Sequence, residues 1–346
     1  MTPERKIRFD IYGLFFSIEG SSVAAEKIGR DFSYFRIERL PAETGKPFRI
    51  KVHEMEPPWD ALPEDTSPVL THPEFVQYKK SGIKYTDYNG RGVSIYEPMR
   101  GRVCVYSTDP EFLHEIGYLA VHSISGDELE KRGFYRVHAL AFSYARTGVI
   151  LLAPSGGGKT SLFLEMLRDS NVKMLSDDVA LIDKKLNIHP FPLRVGAAGI
   201  VPEAEGVSPE HIYSIKRRKY PSKDLIDIKA FRGRISGPVR ARILISARRW
   251  NSGKFICGKA GFFSSGAELF KNLVVGLGLP QVLEYMNVRV DMKSAGKLFG
   301  KASGRLSILA GLLLRCRLYR VYLGRDRKVN RRGIIGIIKE TSSGGV

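Results

Sequence analysis

Gly148-Val-Ile-Leu-Leu-Ala-Pro-Ser-Gly-Gly-Gly-Lys-Thr-Ser-Leu162 is the stretch that decides how this chain is read. Residues 149–152 are an unbroken apolar run, the pattern of a buried strand. Small residues follow to Gly158, and then Lys159, Thr160, Leu162, Phe163, Met166 and Leu167 show helical spacing. Strand, small-residue loop, Lys-Thr and helix together spell a phosphate-binding loop. The chemistry explains the residue types. Glycines let backbone N–H groups turn towards phosphate oxygens with no Cβ in the way, and a helix N-terminus adds unpaired donors and a positive dipole end. On this reading Ala153, Pro154, Ser155, Gly156, Gly157, Gly158, Lys159, Thr160 and Ser161 cradle a nucleotide. Lys159 reaches its β- and γ-phosphates, and the Thr160 hydroxyl sits on Mg²⁺. The usual pattern opens on Gly. Here Ala153 stands in that place, with the smallest possible Cβ.

About one helix later comes Lys173-Met-Leu-Ser-Asp-Asp-Val-Ala-Leu-Ile-Asp183. Met174, Leu175, Val179, Leu181 and Ile182 predict a second strand, broken by Asp177 and Asp178. Adjacent carboxylates in an apolar strand are costly to bury without partners. A Mg²⁺ ion and a substrate proton would be such partners: one Asp holds the metal, directly or through water, and the other accepts a proton from an attacking hydroxyl.

The loop 153–160, the Leu175-Ser-Asp-Asp-Val179 stretch and the upstream Val137-His-Ala139 resemble the C-terminal domain of HPr kinase/phosphorylase and its related kinases. Those proteins belong to the phosphoenolpyruvate-carboxykinase-type P-loop superfamily. The likeness covers roughly residues 111–329. It implies an α/β fold with a P-loop kinase core, ATP and Mg²⁺ as cofactors, and transfer of the γ-phosphoryl group to a serine-type hydroxyl. It also implies roles by position: Asp178 as proton acceptor with Asp177 beside it, Lys159 on phosphates, and Thr160 and Asp177 on the metal. His138 falls where the family has an active-site histidine, on the strand before the P-loop strand. One departure is informative. The family signature Glu-x-Arg-Gly-x-Gly-Ile has its nearest counterpart in Pro192-Leu-Arg-Val-Gly-Ala-Ala-Gly-Ile200, with Pro192 where a metal-binding Glu belongs. That points away from HPr itself and towards a peptide, another protein or a small hydroxyl compound as acceptor. Arg194 in this Pro/Gly loop is a further candidate to contact phosphate or substrate.

The chain of 346 residues carries 55 basic and 36 acidic side chains, a net charge of +19. Residues 1–150 hold 20 basic and 21 acidic residues, whereas residues 151–346 hold 35 and 15, so the whole excess of +20 lies in the second half. That half predicts an anionic partner: a nucleoside triphosphate first, then an acidic substrate, a membrane surface or nucleic acid. Nucleic acid ranks last, because no zinc-finger, helix-turn-helix or ribonucleoprotein motif accompanies the charge. Three well-separated cysteines, Cys104, Cys257 and Cys316, build neither a disulfide framework nor a zinc site. They fit a reducing cytoplasm. The longest late apolar run, 306–314, is about half the length of a membrane span.

Three segments are expected. Residues 1–108 read as a mostly β domain, with strands at 7–18 around Gly13, 32–37, 48–52, 93–96 and 102–106, and a hairpin turn at Tyr88-Asn-Gly-Arg91. Residues 109–330 read as the P-loop kinase domain, opened by an Asp109-Pro110 helix start. It continues with a strand at 135–143 carrying His138, a basic run at 215–224, a strand at 240–250 with Arg248 and Arg249 at its end, a helix at 267–275 and another at 305–314. Residues 331–346 read as a basic, flexible tail. The function expected is an ATP-dependent kinase acting on a hydroxyl, with a nucleotide-gated regulatory protein or slow NTPase as the alternative. A homo-oligomer is compatible with both.

Overall fold

The computed structural model describes residues 5–42, 45–63, 65–154, 156–196, 207–215, 222–276 and 292–343, without the side chains of 292–301, 342 and 343. Ser155, the end of the 192–200 stretch at 197–200, and most of the basic run, 216–221, lie outside the described residues. The chain has the mixed helix-and-sheet composition expected of it, with a mostly β N-terminal region. It divides into two compact units.

The first unit contains the described residues up to Glu128. Strands β1 (Arg5–Ile11) and β2 (Leu14–Gly20) form a hairpin in which Ile7, Phe9 and Ile11 face the core, as their alternation with charged residues demands. Helix α1 (Ser22–Asp31) buries Ala24, Ala25 and Ile28. β3 (Arg36–Ile37), β4 (Phe48–Glu54), β5 (Leu70–His72), β6 (Phe75–Lys80), β7 (Ile83–Asp87), β8 (Val93–Glu97) and β9 (Arg102–Ser107) complete a sheet of order β3-β1-β2-β4-β9-β8-β7-β6-β5. β2 and β4 run parallel, so the connection through α1 is a crossover. The strand expected at 32–37 is reduced to two residues, because Phe32 caps α1 and 33–35 coil into a 3₁₀ turn. The Asn89-Gly90 turn forms as expected, both residues having positive φ. Helix α2 (Pro110–Lys131) begins where Asp109 Oδ1 accepts the Glu111 N–H at 2.9 Å. Its Tyr118 ring packs 5.5 Å from Phe32 and its Phe112 ring 5.1 Å from Tyr88. Most of α2 therefore belongs with the β-rich unit, and the compact division falls after Glu128 rather than at residue 108.

The second unit is built on β10 (Phe134–His138), β11 (Leu140–Tyr144), β12 (Thr147–Leu152), β13 (Val172–Ser176), β14 (Val179–Asp183), β15 (Asn187–His189), β16 (Val195–Gly196), β17 (Ile212–Ile215), β18 (Lys223–Ile226), β19 (Val239–Arg249), β20 (Ile256–Lys259) and β21 (Arg317–Leu323). The main sheet runs β10-β14-β15-β19-β12-β11-β13, with β21 also on β19 and β20 on β21. β16, β18 and β17 form a small separate sheet. β12 is central and parallel to β19. Its Val149 and Leu151 enter one apolar cluster, with Phe163, Met166, Ile334 and Ile338; Ile150 and Leu152 enter another, with Leu269, Leu273, Ile308 and Leu312. A strand covered by helices on both faces needs a continuous apolar run, which is what residues 149–152 provide. The helices are α3 (Lys159–Met166), α4 (Phe262–Leu269) continuing as a π-helical segment (Phe270–Val275), α5 (Met292–Arg315) and α6 (Arg327–Ser343). Among the described residues no helix is long and apolar enough to cross a membrane.

Three expectations change here. The strand at 135–143 is two strands parted at Ala139, so His138 ends β10 and β11 intervenes before β12. The broken strand at 173–183 is likewise two: β13 pairs with β11, and β14 with β10. The basic tail is helical through Ser343, with only 344–346 outside the described residues. Asp326 Oδ1 accepts the Lys328 N–H at 2.8 Å at its start, and Ile334, Ile335, Ile337 and Ile338 are buried on the α3 side of the sheet. Ile338→Ala is therefore expected to cost about 2–4 kcal/mol of unfolding free energy in urea titrations. A flexible tail would show no change.

Candidate functional site

Three strand ends and one helix start bring the sequence-predicted residues together. β12 ends at Leu152, and the chain turns sharply: Gly157 N–H donates to Pro154 O at 2.9 Å. Gly156 and Gly158 hold φ of 73° and 84°, a region that L side chains rarely adopt. A Cβ on Gly157 would meet Pro154 O at 2.8 Å. The glycines are thus required by the turn, and Gly158 stands as the N-cap of α3. Ala153, the residue in place of the first glycine, is buried and turns its carbonyl inward, where Lys159 Nζ donates to it at 2.8 Å. Ser161 is half-buried in the first turn of α3.

Lys159 is itself buried, and burial lowers its pKa against the pull of Asp178 and Asp177. Its Nζ lies 3.3 Å from His138 Nε2, which in turn lies 3.1 Å from Asp178 Oδ1. One ring nitrogen serves only one of these neighbours at a time: as acceptor it takes a Lys159 hydrogen bond, as donor it gives one to Asp178. The three groups therefore form a chain along which one proton can be repositioned. The backbone locks it in place: His138 pairs with Val179 across β10 and β14, and Ala139 N–H donates to Asp178 O at 3.0 Å.

The two aspartates sit where the chain leaves β13 and enters β14, and their environments differ. Asp177 is buried and accepts the Thr160 hydroxyl through Oδ2 at 3.0 Å, while its buried Oδ1 has no hydrogen-bond partner among the described residues. Burial, then the neighbouring Asp178 charge, pushes its pKa up to about 6. Asp178 has a side chain 56% exposed. Burial acts to raise its pKa, but the His138 hydrogen bond and the charges of His138, Lys159 and Lys223 outweigh that and hold it below the usual carboxylate range. Two adjacent carboxylates are thus pushed apart, one towards its protonated form, the other towards an ionised, solvent-facing carboxylate.

Lys223 was not singled out in the sequence. It begins β18, which pairs with β16, and its charge reaches both aspartates. A Cβ on Gly196 would meet its Nζ at 2.3 Å, so Gly196 leaves the room that Lys223 occupies. Arg194 lies just before β16, half-buried. Of the two arginines at the end of β19, Arg248 pairs with Glu268 at 3.3 Å. Arg249 turns to the loop, with Nε 3.9 Å from where a Cβ on Gly158 would be.

The donor set fits a divalent cation that shares its ligands with phosphate. Thr160 Oγ1 and Asp177 Oδ2 are adjacent, and Asp177 Oδ1 is an unmatched buried acceptor. Among the described residues no group of three or more His, Cys, Asp or Glu side chains could hold an ion, so a closed protein cage is not offered. No protein-family model matches the chain, and no curated protein matches it.

Asp177 titrates near 6 in the folded protein against 3.8 as its ordinary value. The folded state therefore binds the extra proton between these values, and the carboxylate destabilises the fold above about pH 6. Asp177→Asn is expected to raise unfolding free energy by about 1–3 kcal/mol at pH 8, with the gain vanishing below pH 4. Denaturant titrations at the two pH values read it directly. An Asp177→Asn variant less stable than the parent at pH 8 contradicts the burial argument.

Proposed function

We propose that this protein is an ATP-dependent kinase that transfers the γ-phosphoryl group to a serine-type hydroxyl of a peptide, a protein or a small molecule. The observation that carries the reading is the Lys159–His138–Asp178 chain directly beside the Thr160–Asp177 pair, at the mouth of a glycine turn that opens a helix. Phosphoryl transfer asks mainly for positioning and charge, and each part has a residue. The loop N–H groups and the start of α3 receive the phosphates. Lys159 shifts from the Ala153 carbonyl to the β/γ-phosphates, and Arg249 lies within reach of the same loop. Asp178, held ionised and exposed, takes the proton of the acceptor hydroxyl as its oxygen forms the new P–O bond and the bond to the nucleoside diphosphate breaks. His138 orients that carboxylate and exchanges a hydrogen bond between it and Lys159. Thr160 and Asp177 would hold Mg²⁺, which when bound neutralises charge on the phosphate oxygens. The resemblance to the HPr kinase-related family supports the same roles, and the family's P-loop kinase core is the fold this reading carries. Pro192 in place of the signature glutamate favours an acceptor other than HPr.

The same Pro192, together with Ala153, favours one alternative: a nucleotide-gated regulatory protein that hydrolyses ATP slowly and phosphorylates nothing. The discriminating assay follows labelled γ-phosphate in the presence of free serine, small polyols and serine peptides. The kinase predicts label on an acceptor; the alternative predicts label only as free phosphate. Lys159→Ala and Asp178→Asn are each expected to lower transfer about a thousandfold, with nucleotide still bound by the Asn variant. Full transfer by Asp178→Asn excludes it as the base.

A further inference from the structure

The P-loop has a second charged neighbourhood at the other end of α3. Arg168 and Asp169, just past the end of that helix, face Arg331, Arg332, Ile335, Gly336 and Lys339 of α6 across an open cavity of about 400 Å³. Four cations thus line it against one carboxylate. Asp169 is already engaged, its Oδ1 accepting the Asn171 N–H at 2.9 Å. Two of the guanidinium groups, those of Arg168 and Arg331, lie against a buried acid. Glu165, with a side chain only 5% exposed, pairs with Arg168 at 3.4 Å and with Arg331 at 3.1 Å. One buried carboxylate thus lies between two arginines and holds their charges beside the cavity.

Gly336 gives an independent observation. It lies in the interior of α6, where glycine lowers helix stability relative to alanine. Packing does not require it, because a Cβ there would have no atom within 4 Å. It lines the cavity, where a side chain would project into open space. Ile335 beside it supplies an apolar wall. The volume suits a small molecule rather than an extended chain.

We infer that the cavity between the end of α3 and α6 binds a small phosphorylated anion, at a site separate from the nucleotide loop. The inference does not depend on the kinase reading. The experiment uses the full chain carrying Lys159→Ala, so that the P-loop contributes little, in magnesium-free buffer at moderate salt. Inorganic pyrophosphate is titrated by calorimetry, with sulfate and chloride as controls. Saturable binding of pyrophosphate in preference to sulfate is expected. Arg332→Gln with Lys339→Gln, both exposed positions, is expected to weaken it at least tenfold without loss of the folded state. Gly336→Glu, which places a carboxylate in the cavity, is expected to abolish it. Absence of saturable binding overturns the inference. So does binding that the α6 variants leave unchanged, or that sulfate and chloride match as ions screening a basic face.

Discussion

Asp177 is buried next to a second carboxylate, and one of its oxygens has no hydrogen-bond partner among the described residues. Neither condition is comfortable in a protein interior, and both persist because the surrounding sheet leaves no choice. β13 and β14 belong to different ladders, and the two aspartates are the residues that cross between them. The same crossing sets Asp177 under Thr160 and turns Asp178 towards His138 and solvent. A single backbone constraint thus produces two unlike carboxylates from two identical side chains. This division of labour is what phosphoryl transfer between a nucleotide and a hydroxyl requires.

Everything else in the second unit keeps that arrangement in place. β12 is covered on both faces, so the glycine turn that follows it is fixed from below by two apolar clusters. Parallel pairing with β19 brings Arg249 to the turn, and α6 closes over α3 from the side away from α4 and α5. The long basic surplus of the second half finds a physical use here: Lys159, Lys223 and Arg249 surround the acids and the loop, while Arg168, Arg331, Arg332 and Lys339 gather at the far end of α3.

The chain disclosed its centre more readily than its periphery. The run 149–152, the glycines and the Asp pair are local signals, and local signals survive in a sequence because one strand, one turn and one helix start determine them. Lys223 left no such trace. It sits in a basic run that reads as a solvated face, and only the β16–β18 pairing carries its charge to the aspartates. Arg248 and Arg249 were indistinguishable until Glu268 took the first and the Gly158 turn met the second. α6 was a different kind of miss. Its four isoleucines are spaced for one helical face, but the arginines and lysines that flank them give the segment the composition of a charged tail. His138 lies one strand further from the loop than the sequence suggests, because nothing in the stretch 135–143 signals the break at Ala139.

The central claim is that Asp177 and Thr160 complete a magnesium–triphosphate site on the glycine turn. The most direct measurement is equilibrium binding of ATP to the unmodified chain, with and without Mg²⁺, at pH 8 and pH 5. The account predicts clear magnesium-dependent affinity at pH 8. It also predicts that most of that dependence is lost at pH 5, on the order of tenfold for the unit below the Asp177 pKa of about 6. No magnesium-dependent affinity for ATP at pH 8, or a dependence equally strong at both pH values, would contradict it.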